Sequence, residues 1–118
     1  MDVNCDSISL IILAAGLSTR FPGNKLLSKM GGVPIISKLV KESVNSNADE
    51  VLVVVGNDSK RISGAIQGMT CKLIHNSEYL EGQSSSVKCG VKAASSAEAI
   101  VILPGDVAFK LYDTYGFP

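Results

Sequence analysis

The chain changes character at residue 14. The apolar stretch Ile8 to Leu13 reads as a buried strand, and it empties directly into Ala14-Ala15-Gly16-Leu17-Ser18-Thr19-Arg20-Phe21-Pro22-Gly23-Asn24-Lys25-Leu26-Leu27. Small residues at a strand end let the main chain approach a ligand closely, and Gly16 reaches dihedrals that a Cβ would forbid. Main-chain N–H groups in such a loop can cradle phosphates, while Arg20 and Lys25 supply the fixed positive charge a triphosphate needs. Ala-Ala-Gly by itself would make only a tight turn into a helix. Two basic residues at these spacings, with Leu26-Leu27 behind them, point instead to a phosphate-binding loop.

The remaining pattern sets the fold class. Three more apolar, β-rich runs follow, Val51–Val55, Cys71–His75 and Ala99–Leu103, each continuous as in strands buried on both faces. Between them lie three helical segments. In Ile35–Ser43 the residues Ile35, Ile36, Leu39 and Val40, with Val44 just beyond, share one face of a 3.6-residue period. Ser59–Ile66 is a short helix capped by Asp58 or Ser59. Ser84–Ala94 sets Val87, Val91 and Ala94 on one side, with Gly90 allowing close packing. Strands alternating with helices predict an α/β fold, a Rossmann-like three-layer sandwich around a mainly parallel sheet. Lys38, Lys41, Glu42, Lys60 and Arg61 read as solvated helix faces.

Charge and cysteine content narrow the partners. Eleven basic and eleven acidic residues give no net charge, so no global field favours nucleic acid or an anionic membrane, and phosphate binding has to be local. The lack of Trp also weakens any base-stacking, single-strand-binding role. Cys5, Cys71 and Cys89 are widely spaced and odd in number, which argues against a zinc site or disulfide framework and for a reducing cytosol. The first residues, Met1 to Asp6, lack the basic region of a signal peptide, and no apolar run approaches the ~20 residues of a membrane span. A cytoplasmic protein is expected.

In open α/β sheets ligands bind beyond the carboxyl ends of the strands. Three such ends carry suitable residues: the Ala14–Lys25 loop, the stretch from Asn76 to Gly90, and Leu103-Pro104-Gly105-Asp106. In the second, the serines at 84, 85 and 86 head a helix and offer hydroxyls and unpaired N–H groups together. Ser84 or Ser85 is the natural N-cap. In the third, a carboxylate at a strand end beside a triphosphate is where Mg²⁺ would be held, since that ion takes one or two carboxylates plus phosphate oxygens. Asp106 alone would read as turn chemistry; with the other two elements present it reads as the metal ligand. His75 reads as structural or supporting, and no nucleophilic triad is visible.

Residues 8 to 27 resemble the nucleotide-binding signature of the MobA-like nucleotidyltransferases, which move NMP from an NTP onto a phosphorylated acceptor. The likeness is greatest to the molybdenum cofactor cytidylyltransferases. Guanylyl-transferring relatives usually carry Leu-Ala-Gly-Gly, whereas this chain has Leu13-Ala14-Ala15-Gly16, the form typical of cytidylyl transfer. One departure stands at Pro22, where the family often has Gly. The block Gly82-Gln83-Ser84-Ser85-Ser86-Val87, with Gly90 beyond it, resembles the family's second signature, in which the Gly and the last Ser contact the base.

The resemblance implies that Ala15 to Ser18, with Gly16 among them, and Arg20 hold the β- and γ-phosphates. Lys25 would reach the α-phosphate, Asp106 would hold Mg²⁺, and Ala14, Ala15, Gly82 and Ser86 would frame the base. The implied reaction transfers CMP from CTP to a molybdopterin-type acceptor with release of pyrophosphate. Cytidylyl transfer to a sugar or polyol phosphate, and a non-catalytic nucleotide-binding accessory module, remain alternatives. The likeness covers residues 8 to about 106, without the second half usual in the family, which implies a truncated nucleotide-binding domain of residues 1–106, with a second copy or a completing partner chain among its candidate partners. Residues 107–118 form an atypical tail, and 108–118 resemble a stretch of alanyl-tRNA synthetases.

Overall fold

A computed structural model describes residues 7–15, 25–94 and 97–105, with Lys25 described by its backbone alone. Four strands make the main sheet: β1 (Ile8–Ala14), β4 (Glu50–Val55), β5 (Lys72–His75) and β6 (Ala99–Pro104). They lie in the order β5-β4-β1-β6 and all neighbours run parallel. Two further strands, β2 (Lys29–Met30) and β3 (Val33–Pro34), form a small antiparallel hairpin. The helices are α1 (Ile35–Val44), α2 (Ser59–Ala65) and α3 (Gln83–Ala93). The expected strands and helices are all present, each with ends within one residue of the sequence reading, and the fold is the expected α/β class.

The continuous apolar runs divide between two cores because successive side chains on a strand point to opposite faces. Ile12 and Ala14 of β1, with Val51, Val53 and Val55 of β4, face Ile35, Ile36, Leu39 and Val40 of α1 and Ile62 of α2. Ile11, Leu13 and Ala15, with Leu52 and Val54, face the α3 side, where Ala94 is buried and Val87 packs against the cluster. The register enforces this division: Ile12 pairs with Val53 and Ala14 with Val55, all on the α1–α2 face. The Ser37 hydroxyl donates to the Ala65 carbonyl at 2.6 Å and ties α1 to the end of α2.

Four details depart from the sequence reading. The outer strands are not buried on both faces: Leu73 of β5 and Ile100, Val101 and Ile102 of β6 are exposed, and among the described residues each of these strands has a neighbour on one edge only. On α3 the buried positions are Ser86 and Gly90, followed by Ala94, while Val91 faces solvent. The reason is packing distance: a Cβ on Gly90 would sit 2.7 Å from Ile11 Cγ2 and 3.3 Å from Val54 Cγ2, so α3 approaches the sheet along its smallest side chains. Asp58 precedes α2 but makes no side-chain cap; it adopts left-handed backbone (φ 58°) and its carboxylate stands 3.7 Å from Arg61. The β2–β3 hairpin is not among the sequence expectations, although Gly31-Gly32, both at positive φ, is strong hairpin-turn chemistry.

The close approach at Gly90 generates a test. Overpacking a tight core costs about 1–3 kcal/mol, and the better helical preference of Ala offsets about 1 kcal/mol of it. Gly90→Ala should therefore lower the urea unfolding free energy by roughly 1 kcal/mol, and a more stable variant would show that α3 does not press on Ile11 as described.

Candidate functional site

The sheet order sets where a ligand can enter. From β1 the chain winds outward through β4 to β5 and then returns past β1 to β6, so the direction reverses between β1 and β6. The crevice at the carboxyl ends beside such a reversal is the usual ligand position of an open α/β sheet.

At the end of β1, Ala14 and Ala15 are fully buried, at 2% and 0% exposure. Their side chains part company: Ala14 packs into the α1–α2 core, Ala15 into the α3 core. The Ala15 carbonyl accepts the Asn57 N–H at 3.2 Å, which pins the strand end to the loop after β4. That loop in turn meets the one after β5, because a Cβ on Gly56 would lie 2.7 Å from Tyr79 Cβ. Ala15 therefore shares a face with the helix bearing Gly82 and Ser86, and Ala14 lies across the sheet with only its main chain available to that side.

The end of β6 is held against the same place. Gly105 is buried, and a Cβ on it would meet both the Leu13 carbonyl oxygen and Leu26 Cδ1 at 2.7 Å. Leu26 lies in the single 3₁₀ turn Lys25–Leu27 and is sunk in the α1–α2 core. The Leu26 side chain, one residue from Lys25, thus packs against the ends of β1 and β6. Gly16, Ser18, Arg20 and Asp106 lie outside the described residues, as do 107–118 and the side chain of Lys25.

The segment after β5 is the most fully determined part of the rim. Asn76 is 1% exposed, and its main-chain N–H donates to the Val55 carbonyl at 2.7 Å. Its side-chain amide donates to the Ser85 hydroxyl at 2.9 Å and to the Ser86 hydroxyl at 3.0 Å. Its carbonyl oxygen accepts the Glu78 N–H at 2.9 Å. The Ser85 hydroxyl reaches the Gly82 carbonyl at 2.7 Å and the Glu78 carbonyl at 3.0 Å. These bonds fold residues 76–86 into a compact arch with the 3₁₀ turn Tyr79–Glu81 inside it.

Neither Ser84 nor Ser85 is the N-cap. That position belongs to Gly82, at φ 108° and ψ 175°, and no side chain caps the helix. This conformation is accessible to Gly almost alone. Nothing lies within 4 Å of the place a Cβ would occupy, so strain and not space requires the glycine. Ser86 is 4% exposed, in the first turn of α3. Asn76 was not singled out from the sequence as a site residue. The available signal was a polar side chain immediately after an apolar strand and ahead of a serine cluster.

Other chemically interesting residues stand apart. His75 ends β5 exposed to solvent. Cys71, at the opposite pole, helps line a groove of about 370 Å³ together with Ile66, Met69 and Leu73, and burial pushes its thiol pKa up, away from thiolate chemistry. Among the described residues no cluster of three or more His, Cys, Asp or Glu is arranged to hold a metal, and no helix is long and apolar enough to cross a membrane.

A parallel sheet wound in both directions, with small buried residues and a glycine-led helix at its carboxyl rim, defines a doubly wound α/β protein with a ligand crevice at that rim. The MobA-like NTP transferase domain matches residues 10–114, and the chain belongs to that family. A solved nucleotidyl transferase from Methanothermobacter thermautotrophicus superposes with a TM-score of 0.79 at 30% identity, over 86% of this chain and 51% of that one. A solved CMP:2-keto-3-deoxy-manno-octonic acid synthetase, complexed with CTP, shares the fold at a TM-score of 0.60 and 24% identity, over 95% of this chain and 50% of that one. Among curated relatives, the bifunctional protein GlmU of Bdellovibrio bacteriovorus is 32% identical over 101 residues, 84% of this chain and 22% of that protein. The GlmU of Geotalea uraniireducens is 29% identical over 105 residues, 86% and 23% respectively. The chain thus spans about half of the solved nucleotidyl transferase and under a quarter of the GlmU proteins.

The backbone at residue 82 yields a direct check. Gly82→Ala should cost of order 1–3 kcal/mol of stability through strain alone, read as a drop in the thermal or urea midpoint. An unchanged midpoint would mean that the arch does not need the positive φ.

Proposed function

We propose that this chain carries the nucleotide site of a cytidylyltransferase, which moves CMP from CTP to a phosphorylated acceptor of the molybdopterin type and releases pyrophosphate. The observation that carries the reading is the convergence at one rim of the β1 end at Ala14–Ala15, the head of α3 at Gly82–Ser86, and the β6 end at Gly105. Support for CTP comes from Leu13-Ala14-Ala15-Gly16 together with the Gly82–Ser86 block, whose likeness is to cytidylyl-transferring members of the family.

In this reading the main chain of Ala15, Gly16 and Ser18 holds the triphosphate with Arg20, and Lys25 steadies the α-phosphate as charge develops there. The burial of Leu26 supports that role for Lys25, because it anchors the turn that contains the lysine. Positioning and charge neutralisation supply most of the catalysis in phosphoryl chemistry, and a phosphate acceptor is already anionic, so no side chain has to remove a proton. The donor set suits Mg²⁺: Asp106 follows the buried Gly105 at the strand end, and one carboxylate with phosphate oxygens is what that ion accepts. When bound, the ion neutralises charge on the phosphates. The exposed apolar side chains of β6 support a further chain segment, a partner chain or a second copy packing against that strand.

Calorimetric titration with CTP, GTP, ATP and UTP, in Mg²⁺ and in EDTA, tests the reading. Mg²⁺-dependent binding with CTP preferred is expected; equal affinity for CTP and GTP would remove the base assignment. Lys25→Ala should weaken CTP binding by about 1.5–3 kcal/mol with little change in melting temperature; an unfolded variant would give Lys25 a structural role. Asp106→Asn should abolish the Mg²⁺ effect while leaving metal-free binding intact, whereas a turn-capping Asp106 would be replaced by Asn without consequence.

A further inference from the structure

The hydrogen bonds around Asn76 fix more than the shape of the arch. The Glu78 N–H can bond only to an acceptor, so the atom 2.9 Å away is the carbonyl oxygen of Asn76. The NH₂ group is then the end that faces Ser85 at 2.9 Å and Ser86 at 3.0 Å. An amide NH₂ donates and does not accept, so both serine hydroxyls accept from it. Each hydroxyl is left with one proton of its own. That of Ser85 is used on the Gly82 carbonyl at 2.7 Å or the Glu78 carbonyl at 3.0 Å. Among the described residues that of Ser86 has no acceptor, although Ser86 is only 4% exposed. A buried hydroxyl proton without an acceptor is costly, and one that a ligand can satisfy is a recognition element.

We infer that Asn76 is a positioning residue that sets the direction of the Ser86 hydroxyl, so that Ser86 presents a donor to the bound nucleotide. This rests on the nucleotide-binding reading above and deepens it. The group recognised is a hydrogen-bond acceptor on the edge of the base, which cytosine supplies at its ring nitrogen and its carbonyl oxygen. The amide matters because it is the only group in the arch that gives a hydrogen to Ser86. Replacing it with a carboxylate of the same shape keeps the bond from the Glu78 N–H. The Ser86 proton then turns back into the carboxylate, and an oxygen lone pair faces the ligand.

The test is a double-mutant cycle of Asn76→Asp and Ser86→Ala, read by CTP affinity, joined to side-chain amide exchange of Asn76 without nucleotide. Asn76→Asp should weaken CTP binding about tenfold when Ser86 is present, the scale of a buried bond lost. In the Ser86→Ala background the same change should have an effect of less than about twofold. A charge acting on the triphosphate directly, or a general loosening of the arch, would weaken binding equally in both backgrounds, and that result overturns the proposal. In the parent protein both Asn76 side-chain amide protons should be protected from exchange, and Ser86→Ala should release one of them. Unprotected protons in the parent would overturn the geometry itself, whether or not the mutants fold. Protected protons in a parent that binds no nucleoside triphosphate would refute the nucleotide-binding reading and leave Asn76 a purely structural clamp.

Discussion

Everything at the candidate site depends on β1 being hydrogen-bonded along both edges and buried on both faces. It pairs with β4 through Ser9 to Ala14 and with β6 through Ile8 to Leu13. Ile11 and Ile12, both fully buried, commit it to opposite cores. A strand fixed in this way has no freedom of register, because a shift by one residue would exchange the two apolar sets and break both ladders. Its last residues, to Ala15, are therefore delivered to one position at the sheet rim.

Small residues then decide how close the other elements come. Gly90 lets α3 settle on Ile11, Gly56 admits Tyr79, and Gly105 lets the β6 end press on the Leu13 carbonyl. These approaches draw the head of α3 and the end of β6 toward Ala15, so packing in the core sets the distances at the rim. The arch from Asn76 to Ser86 adds a second kind of constraint. It is held by directional bonds from a buried amide, and its geometry follows from which atoms donate and which accept. The opposite pole carries the Cys71 groove, where Ile66, Met69 and Leu73 lie beside the polar Ser63 and Gln67.

Much of the fold was legible because the apolar runs are long and their periods unambiguous. Val51–Val55 admits no reading but a strand buried on both faces, and Ile35–Val44 shows one helical stripe. The small errors have physical sources. Val91 reads as inward-facing by its hydrophobicity, but the helix sits so close to the sheet at Gly90 that Ser86, Gly90 and Ala94 take the buried positions. Asp58 and Ser85 belong to capping types, yet local backbone bonds and an ion pair claim their side chains first. The outer strands read as buried on both faces because an apolar run does not reveal where in the sheet its strand lies. Of the candidate site, the three strand-end segments are visible as motifs, and the structure brings Ala15, Gly82 and Ser86 to one rim. The role of Asn76 was not visible, since nothing short of coordinates shows that one amide serves two serines.

The central claim is that nucleotide binds at the carboxyl rim of the sheet. Backbone amide shifts recorded while CTP and Mg²⁺ are titrated into the labelled protein test it most directly. The account predicts that the largest changes fall at Ala15, Gly82, Ser86 and Gly105, with residues 63–73 at the far pole unmoved. Saturable changes centred on the groove at Ile66, Met69 and Cys71, with the rim amides still, would contradict it.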